Sequence, residues 1–306
     1  MTSGQTRRPW SIEWPTIAIA ATIWSGFAAV LTWHERLPVA VTVLAFAVLG
    51  AWYMSLQHEA VHGHPTPSGI ANRVIAGIPL HVWLPFAVYE ESHLLHHDVE
   101  LTMPGVDPES FLMSAEQWER AGRFRRTLVR ANFTLIGRLV LGPVIGIPMS
   151  LWTEARRLAD RPSLMMMWLR HLIGVSAVLW VVIAVAGVPT WQFLLGFCYV
   201  GLSLTYMRSF AEHRAVAAPG SRSAIVRSGR CFGTLFLFNN LHHAHHAAPG
   251  VAWYQLPQLV DELGSESQAA AGAGYYRGYA ELFRRYAVRP ISSPISISAD
   301  RASATR

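Results

Sequence analysis

The chain of 306 residues is 52% hydrophobic and only 14% charged, and it carries 14 histidines against 2 cysteines, a balance that excludes an average soluble domain and points to a membrane protein with a metal site. All 25 basic residues are arginine; with 19 acidic residues the net charge is +6, and the lack of lysine excludes a P-loop phosphate site, a pyridoxal-phosphate Schiff base and a lysine general base. Cys198 and Cys231 stand apart rather than in a CxxC pair, so neither a disulfide framework nor a fused iron–sulfur module fits, and electrons for any redox step must come from a separate protein.

From the N-terminus, Arg7 and Arg8 precede an apolar stretch that is too long for a signal-peptide core and lacks a small-residue cleavage site, so it is expected to stay as an anchor. Four stretches, 15–33, 38–56, 172–188 and 191–207, are long and apolar enough to cross roughly 30 Å of hydrocarbon as helices. The short turns 34–37 and 188–190 fold them into two hairpins. Of the arginines only Arg36 lies in those turns, so by the positive-inside rule the opposite side, with both termini, is cytoplasmic. Two further apolar stretches are short and broken: 74–89 by Pro79 and Pro85, and 139–152 by Pro143, Gly146 and Pro148. Arg130 and Arg138 precede the second and Arg156 and Arg157 follow it, so both are read as interfacial or re-entrant. Near the C-terminus Tyr275, Tyr276, Tyr279, Leu282 and Phe283 alternate with Arg277, Arg284 and Arg285, an amphipathic stretch suited to a membrane surface. The Ser/Ala/Arg-rich residues 291–306 are expected to be disordered. The fold class expected is all-α integral membrane: one domain over 1–290, with four transmembrane helices in two hairpins, interfacial helices and a cytoplasmic cap.

The histidines carry the chemistry. Eleven of them fall in four places on the inferred cytoplasmic side: His58, His62 and His64; His93, His96 and His97; His213; and His242, His243, His245 and His246. In a helix, residues at i, i+3 and i+4 share a face, so His58/His62, His93/His96/His97 and His242/His245/His246 each present convergent imidazoles. At this histidine frequency an HxxHH triplet is expected by chance in roughly 0.03 chains of this length, and this chain has two. His34, His81 and His171 are scattered and read as hydrogen-bonded core residues. A zinc site uses three or four ligands, fewer than half of those offered, so two metals are implied. Eight of the 19 acidic residues lie between Glu90 and Glu119, and Glu59 and Glu212 each adjoin a cluster histidine; such acids accept the second N–H of a ligand imidazole and fix its tautomer, whereas Glu116 and Glu119 read as solvated.

The motifs His58-Glu59-Ala60-Val61-His62-Gly63-His64, His93-Leu94-Leu95-His96-His97 and Asn239-Asn240-Leu241-His242-His243-Ala244-His245-His246 resemble the three histidine boxes of the integral membrane fatty acid desaturase and hydroxylase superfamily. Asp107-Pro108-Glu109-Ser110 and Ala211-Glu212-His213-Arg214 are similar to features of its alkane monooxygenase and carotenoid ketolase branches. The resemblance covers about 57–257. It implies two non-haem irons, O2 as co-substrate, a fatty-acyl, lipid-like or hydrocarbon substrate that is desaturated or hydroxylated, and an active site facing the cytoplasm of a bacterial inner membrane. The ligands it implies are His58, His62, His93, His96, His97, His213, His242, His245 and His246. Glu59, Asp107, Glu212 and Asn239 are expected to support them through hydrogen bonds. His64 sits half a turn from His62, and His243 lies about 100° around a helix from His242, so these two are expected beside the ligands or in a structural role. No cytochrome b5 signature is present, which favours a bacterial enzyme over the eukaryotic acyl-CoA type; the separate electron donor is expected to be a ferredoxin or rubredoxin, with the basic run Arg120 to Arg130 as its docking surface or as a contact for anionic lipid. Nucleic acid is not an expected partner.

Two other functions fit parts of the pattern. His58-Glu59-x-x-His62 is also the HExxH helix of a membrane zinc metalloprotease, with Glu59 as general base, but that reading leaves both HxxHH motifs unused. A metal transporter would line its spans with polar residues, whereas these histidines sit beyond the apolar stretches. Trp52, Tyr53, Trp83 and Tyr206 near the helix ends read as interfacial belting first and as the lining of a substrate slot second.

Overall fold

The computed structural model describes residues 11–297, and these fall into two compact units. The first comprises 11–90 and Pro143–Thr205, the second Glu91–Gly142 and 206–297.

The first unit grows from apolar helices. Pro15, with its preset φ, starts α1 (Trp14–Trp33), a 3-10 turn at His34–Arg36 reverses the chain, and Pro38 caps α2 (Val39–Val61). This is the first expected hairpin. A short α3 (Gly69–Ala76) follows, capped by the Ser68 side chain, and α4 (Phe86–Asp98) begins only after Pro85, so 74–89 makes no continuous helix of spanning length. The Tyr53 hydroxyl lies 2.7 Å from both Ala76 O and Ile78 O and ties this irregular segment to α2.

A correction concerns the stretch 139–152 and the fourth crossing; the third, 172–188, falls almost wholly within a run of spanning length, Pro162–Val185. Residues 139–152 are part of one helix, α7 (Leu135–Asp160), which runs through Pro143 and Pro148 and is long and apolar enough to cross a membrane. The arginines that argued for an interfacial segment are not free flanking charges. Arg138 is buried with its guanidinium 4.2 Å over the Phe111 ring, and Arg157 pairs with Glu154 at 2.6 Å. The helical run Pro162–Val185, comprising a 3-10 turn, α8 (Met165–Leu179) and a π segment, also has spanning length, as do α1 and α2, which gives four such helices among the described residues. The expected fourth crossing, 191–207, is helical through α9 (Thr190–Phe193), a π segment and α10 (Gly201–Ser209), but it is not one of the four. It contains buried Gln192, Ser203 and Thr205 and packs in the interior of its unit.

Close approach of backbones makes that packing possible. A Cβ on Gly50 would meet Phe197 O at 2.3 Å, and one on Gly201 would meet Gly50 Cα at 3.0 Å. Small residues at such crossings are how helices associate where no hydrophobic driving force separates protein from lipid. Around them Phe27, Phe46, Phe193 and Phe197 stack edge-on and tilted. On the outside Trp14, Leu44, Val144, Trp152, Ile173 and Val185 are exposed, an apolar surface that water would not tolerate and lipid covers.

The second unit is built of short helices: α5 (Ala115–Arg120), started by a Ser114–Gln117 capping box, α6 (Arg123–Asn132), α11 (Arg230–Leu235), α12 (His242–Ala247), α13 (Leu256–Glu262), α14 (Ser265–Ala271) and α15 (Tyr279–Tyr286). Two-residue strands β1 (Ile225–Val226) and β2 (Tyr275–Tyr276) pair in parallel. Two expectations fail here. The tyrosine-rich stretch does not offer its apolar face to a membrane: Tyr276, Tyr279 and Leu282 are buried in the core with Phe210 and Phe236. Nor are 291–297 disordered. Ile291 N donates to Phe133 O, and Pro294 O and Ser296 N bond Met113 on both of its backbone groups. The remainder of that tail, 298–306, lies outside the described residues.

Candidate metal centre

Local backbone chemistry sets the histidines. In α4 the spacing 93, 96, 97 puts three rings on one face. Before α12, Leu237 and Phe238 take φ of 46° and 51°, a left-handed conformation costly for side chains of this size, and a Cβ on Gly233 would clash with the Phe238 ring at 2.4 Å. That strained turn is held by Asn240, whose Nδ2 donates to Val226 O at 2.7 Å while its backbone carbonyl accepts from Val226 N at 2.9 Å. His213 lies beyond α10 on a bridge to Ser223, fixed by Ala224 N to Glu212 O at 2.8 Å and Arg214 N to Arg222 O at 3.1 Å.

These supports bring His96, His213, His242 and His246 together, with one ring nitrogen from each within 4.8 Å of the others. The contacts are between Nε2 atoms: His96 to His213 at 3.0 Å, His213 to His242 at 2.9 Å, and His242 to His246 at 3.1 Å. On three of the rings the other nitrogen faces an acceptor. His96 Nδ1 donates to Asp107 at 2.8 Å, His242 Nδ1 to Asn239 Oδ1 at 3.0 Å, and His213 Nδ1 faces Arg222 O at 3.3 Å. A neutral imidazole carries one proton, so these rings protonated at Nδ1 aim bare Nε2 lone pairs at one another. Converging lone pairs repel unless a cation sits among them, so the donor set fits a metal ion.

A second set lies in the same unit: His97 Nε2 is 3.2 Å from His93 Nε2 and 3.1 Å from His245 Nε2, and His93 Nδ1 donates to Glu109 at 2.7 Å. In the first unit His58 and His62 close the last turn of α2, their ring centroids 4.9 Å apart, both buried, with Glu59 3.6 Å from His58 Nδ1.

Electrostatics keep His97, His213, His242 and His246 neutral, the form a metal requires. Burial pushes His213 down to about 3 and His97 to about 2, the latter with help from His93 and His96, and places His242 and His246 well below the ordinary imidazole range. His96 runs the other way: burial opposes its charge, but Glu109, Asp107 and Glu212 outweigh it and raise its affinity for a proton. Burial lifts Glu212 to about 7 despite the Arg208 guanidinium at 2.9 Å.

Of the six supporting residues named from sequence, Asp107 and Asn239 touch candidate ligands directly. Glu59 lies beside His58, and Glu212 stands 3.6 Å from His242 Nδ1 with Arg208 as its nearer partner. His64 Nδ1 bonds Glu13 at 2.7 Å and His243 Nδ1 bonds Ser265 Oγ at 3.0 Å. His34, His81 and His171 each turn a ring nitrogen to a backbone carbonyl, as expected of core residues. Sequence reasoning missed Glu109 as the partner of His93. Its signal was present in the Asp107-Pro108-Glu109-Ser110 motif.

The family model described as fatty acid desaturase matches residues 35–279. The chain belongs to the fatty acid desaturase family. A search of curated proteins gave no match. Membership makes this desaturase-family protein a membrane oxidoreductase of the desaturase or hydroxylase type, and its four apolar helices make it multi-pass. The matched span includes all three histidine motifs, His213, Asp107 and Glu109.

Proposed function

We propose that the protein is an O2-dependent di-iron oxidoreductase that desaturates or hydroxylates an unactivated C–H position of a fatty-acyl, lipid-like or hydrocarbon substrate. The observation that carries this reading is the convergence of four Nε2 atoms from His96, His213, His242 and His246, three of them on rings whose Nδ1 faces an acceptor. The proposed ligands are these four with His93, His97 and His245, and, from α2, His58 and His62. Imidazole suits iron, and bound iron would supply the chemistry with O2 and two electrons that removes hydrogen from an unactivated carbon.

The chain's own residues do the rest. Asp107, Glu109 and Asn239 hold the Nδ1 protons of His96, His93 and His242, which fixes each ring with its Nε2 free to ligate. Asp107 is itself held by Thr102 N–H at 2.8 Å and Glu109 N–H at 2.9 Å. Burial of the rings excludes bulk water, and the exposed apolar belt admits a substrate from lipid. Whichever second pair of helices crosses the bilayer, α7 with Pro162–Val185 or the pair read from sequence, two crossings separate His97 from His213, so all four clusters share one side. With the pair read from sequence only Arg36 lies on the far side; with α7 and Pro162–Val185, Arg156, Arg157 and Arg161 join it. In both cases most arginines stay on the side of the clusters, which supports the cytoplasm of a bacterial inner membrane. Electrons come from a separate ferredoxin or rubredoxin. Arg123 and Arg125 are exposed on α6, while Arg126 and Arg130 lie over the Trp118 ring.

The test is metal analysis of the purified protein together with mass spectrometry of lipids from cells with and without the gene, grown under O2. About two irons per chain and a lipid pool changed by desaturation or hydroxylation are expected. Stoichiometric zinc from iron-replete cells, with activity that persists without O2, would overturn the reading.

A further inference from the structure

An open groove of about 530 Å³ lies on the second unit, lined by Tyr275 of β2, by Arg277 just after it, and by Glu281, Arg284 and Arg285 of α15. Its charges are fixed by Glu281, which spends one carboxylate oxygen on the Arg277 backbone N–H at 2.6 Å and the other on the Arg285 guanidinium at 2.9 Å. Arg277 and Arg284 are exposed, and neither guanidinium has a hydrogen-bond or ion-pair partner among the described residues. Three arginines against one engaged carboxylate leave the groove positive.

The basic run around α6 offers less. Arg120 pairs with Glu116 at 2.7 Å, Arg126 and Arg130 lie over the Trp118 ring, and Arg126 also donates to Trp118 O and Glu119 O. Only Arg123 and Arg125 of that run stand without such partners among the described residues.

The groove also adjoins the third histidine motif. β2 pairs with β1, and on the far side of β1 Val226 exchanges two hydrogen bonds with Asn240, at 2.9 and 2.7 Å. Asn240 stands two residues before His242. Two backbone ladders of about 5 Å each and two residues of chain put Tyr276 within roughly 17 Å of His242, Cα to Cα.

We propose that this groove docks the electron donor, a small acidic iron–sulfur or rubredoxin-type protein, beside the third histidine motif; the proposal rests on the reading of the chain as an O2-dependent oxidoreductase served by a separate carrier. Carboxylates on the carrier pair with Arg277 and Arg284. Each encounter oxidises the carrier's iron centre by one electron and reduces the chain's metal site by one, so two encounters supply the two electrons that the reaction with O2 takes. A concave groove receives the convex acidic edge of a protein, whereas a flat bilayer meets only its rim, so the occupant is a protein rather than an anionic lipid surface.

The test measures saturable binding of two probes, a plant-type ferredoxin and a rubredoxin, to the full-length protein in detergent. Wild type should bind at least one, about tenfold or more weakly when ionic strength rises from about 0.02 to about 0.2 M. At low salt the double variant Arg277→Glu/Arg284→Glu should weaken that binding about tenfold or more, Arg284→Gln alone should weaken it about threefold, and Arg123→Glu/Arg125→Glu should stay within about twofold of wild type. Bound iron should be unchanged in all three. Binding of neither probe overturns the proposal, as does binding that the groove variants retain or a loss confined to the α6 variant. So does a groove double variant that binds the probes normally and differs only in retaining less phosphatidylglycerol, which would make the groove a lipid site. Docking that depends on Arg277 and Arg284 in a protein without iron or O2-dependent turnover would refute the enzymatic reading and keep the acidic-protein site; full iron and turnover with a small chemical reductant, but no probe bound, would refute the docking alone.

Discussion

Buried histidines occur in both units, and they behave differently. In the first, His34, His81 and His171 each point a nitrogen at a backbone carbonyl, 3.0 to 3.1 Å away, and no second imidazole is needed to explain any of them. In the second, His93, His96 and His242 give their Nδ1 protons to side chains and turn Nε2 toward other imidazoles. The first arrangement anchors a ring on the backbone. The second spends carboxylates and an amide to aim one, which makes sense only if something accepts the aimed lone pairs.

The contrast can be broken by substitution. The largest effect is expected from the converging rings: His213→Ala and His96→Ala should each abolish turnover and lower bound metal, read by metal analysis and product formation. His171→Ala should keep full metal and cost only stability. Next come the groups that aim the rings. Asp107→Asn and Glu109→Gln should each reduce metal affinity or activity about 10- to 100-fold, measured by chelator competition. In the first unit the sensitive positions are steric instead. Gly50→Val would drive a side chain into the Phe197 backbone and should destabilise the protein by about 1–3 kcal/mol or more, measured by thermal unfolding in detergent. The smallest effect on catalysis is expected at His64→Ala and His243→Ala, whose partners are Glu13 and Ser265: both should retain metal and measurable turnover. Loss of metal in His243→Ala but not in His242→Ala would reverse the ligand assignment.

The two units were also legible to different degrees. The histidine motifs could be read because i, i+3, i+4 spacing on a helix dictates a shared face, and α4 and α12 realise it. His213 was found from its place after an apolar run. Glu109 was harder, because nothing local distinguishes a carboxylate that accepts from a histidine sixteen positions earlier from one that is solvated. Helix α7 was misread as a short, broken stretch for a physical reason: prolines and flanking arginines argue against a long apolar helix only when the prolines break it and the charges are unpaired, and here α7 runs through Pro143 and Pro148 while Arg138 and Arg157 have partners. The stretch around α15 shows the same limit. An amphipathic pattern states that one face is buried, not whether protein or lipid buries it, and Leu282 is buried by protein.

The central claim, that imidazole lone pairs converge to hold iron, is tested most directly by X-ray absorption at the iron edge on purified protein and its His213→Ala variant. The account predicts iron in a shell of nitrogen donors with imidazole scattering, and a clear loss of iron in the variant. A sulfur-containing shell, zinc in place of iron, or an iron signal unchanged by His213→Ala would contradict it.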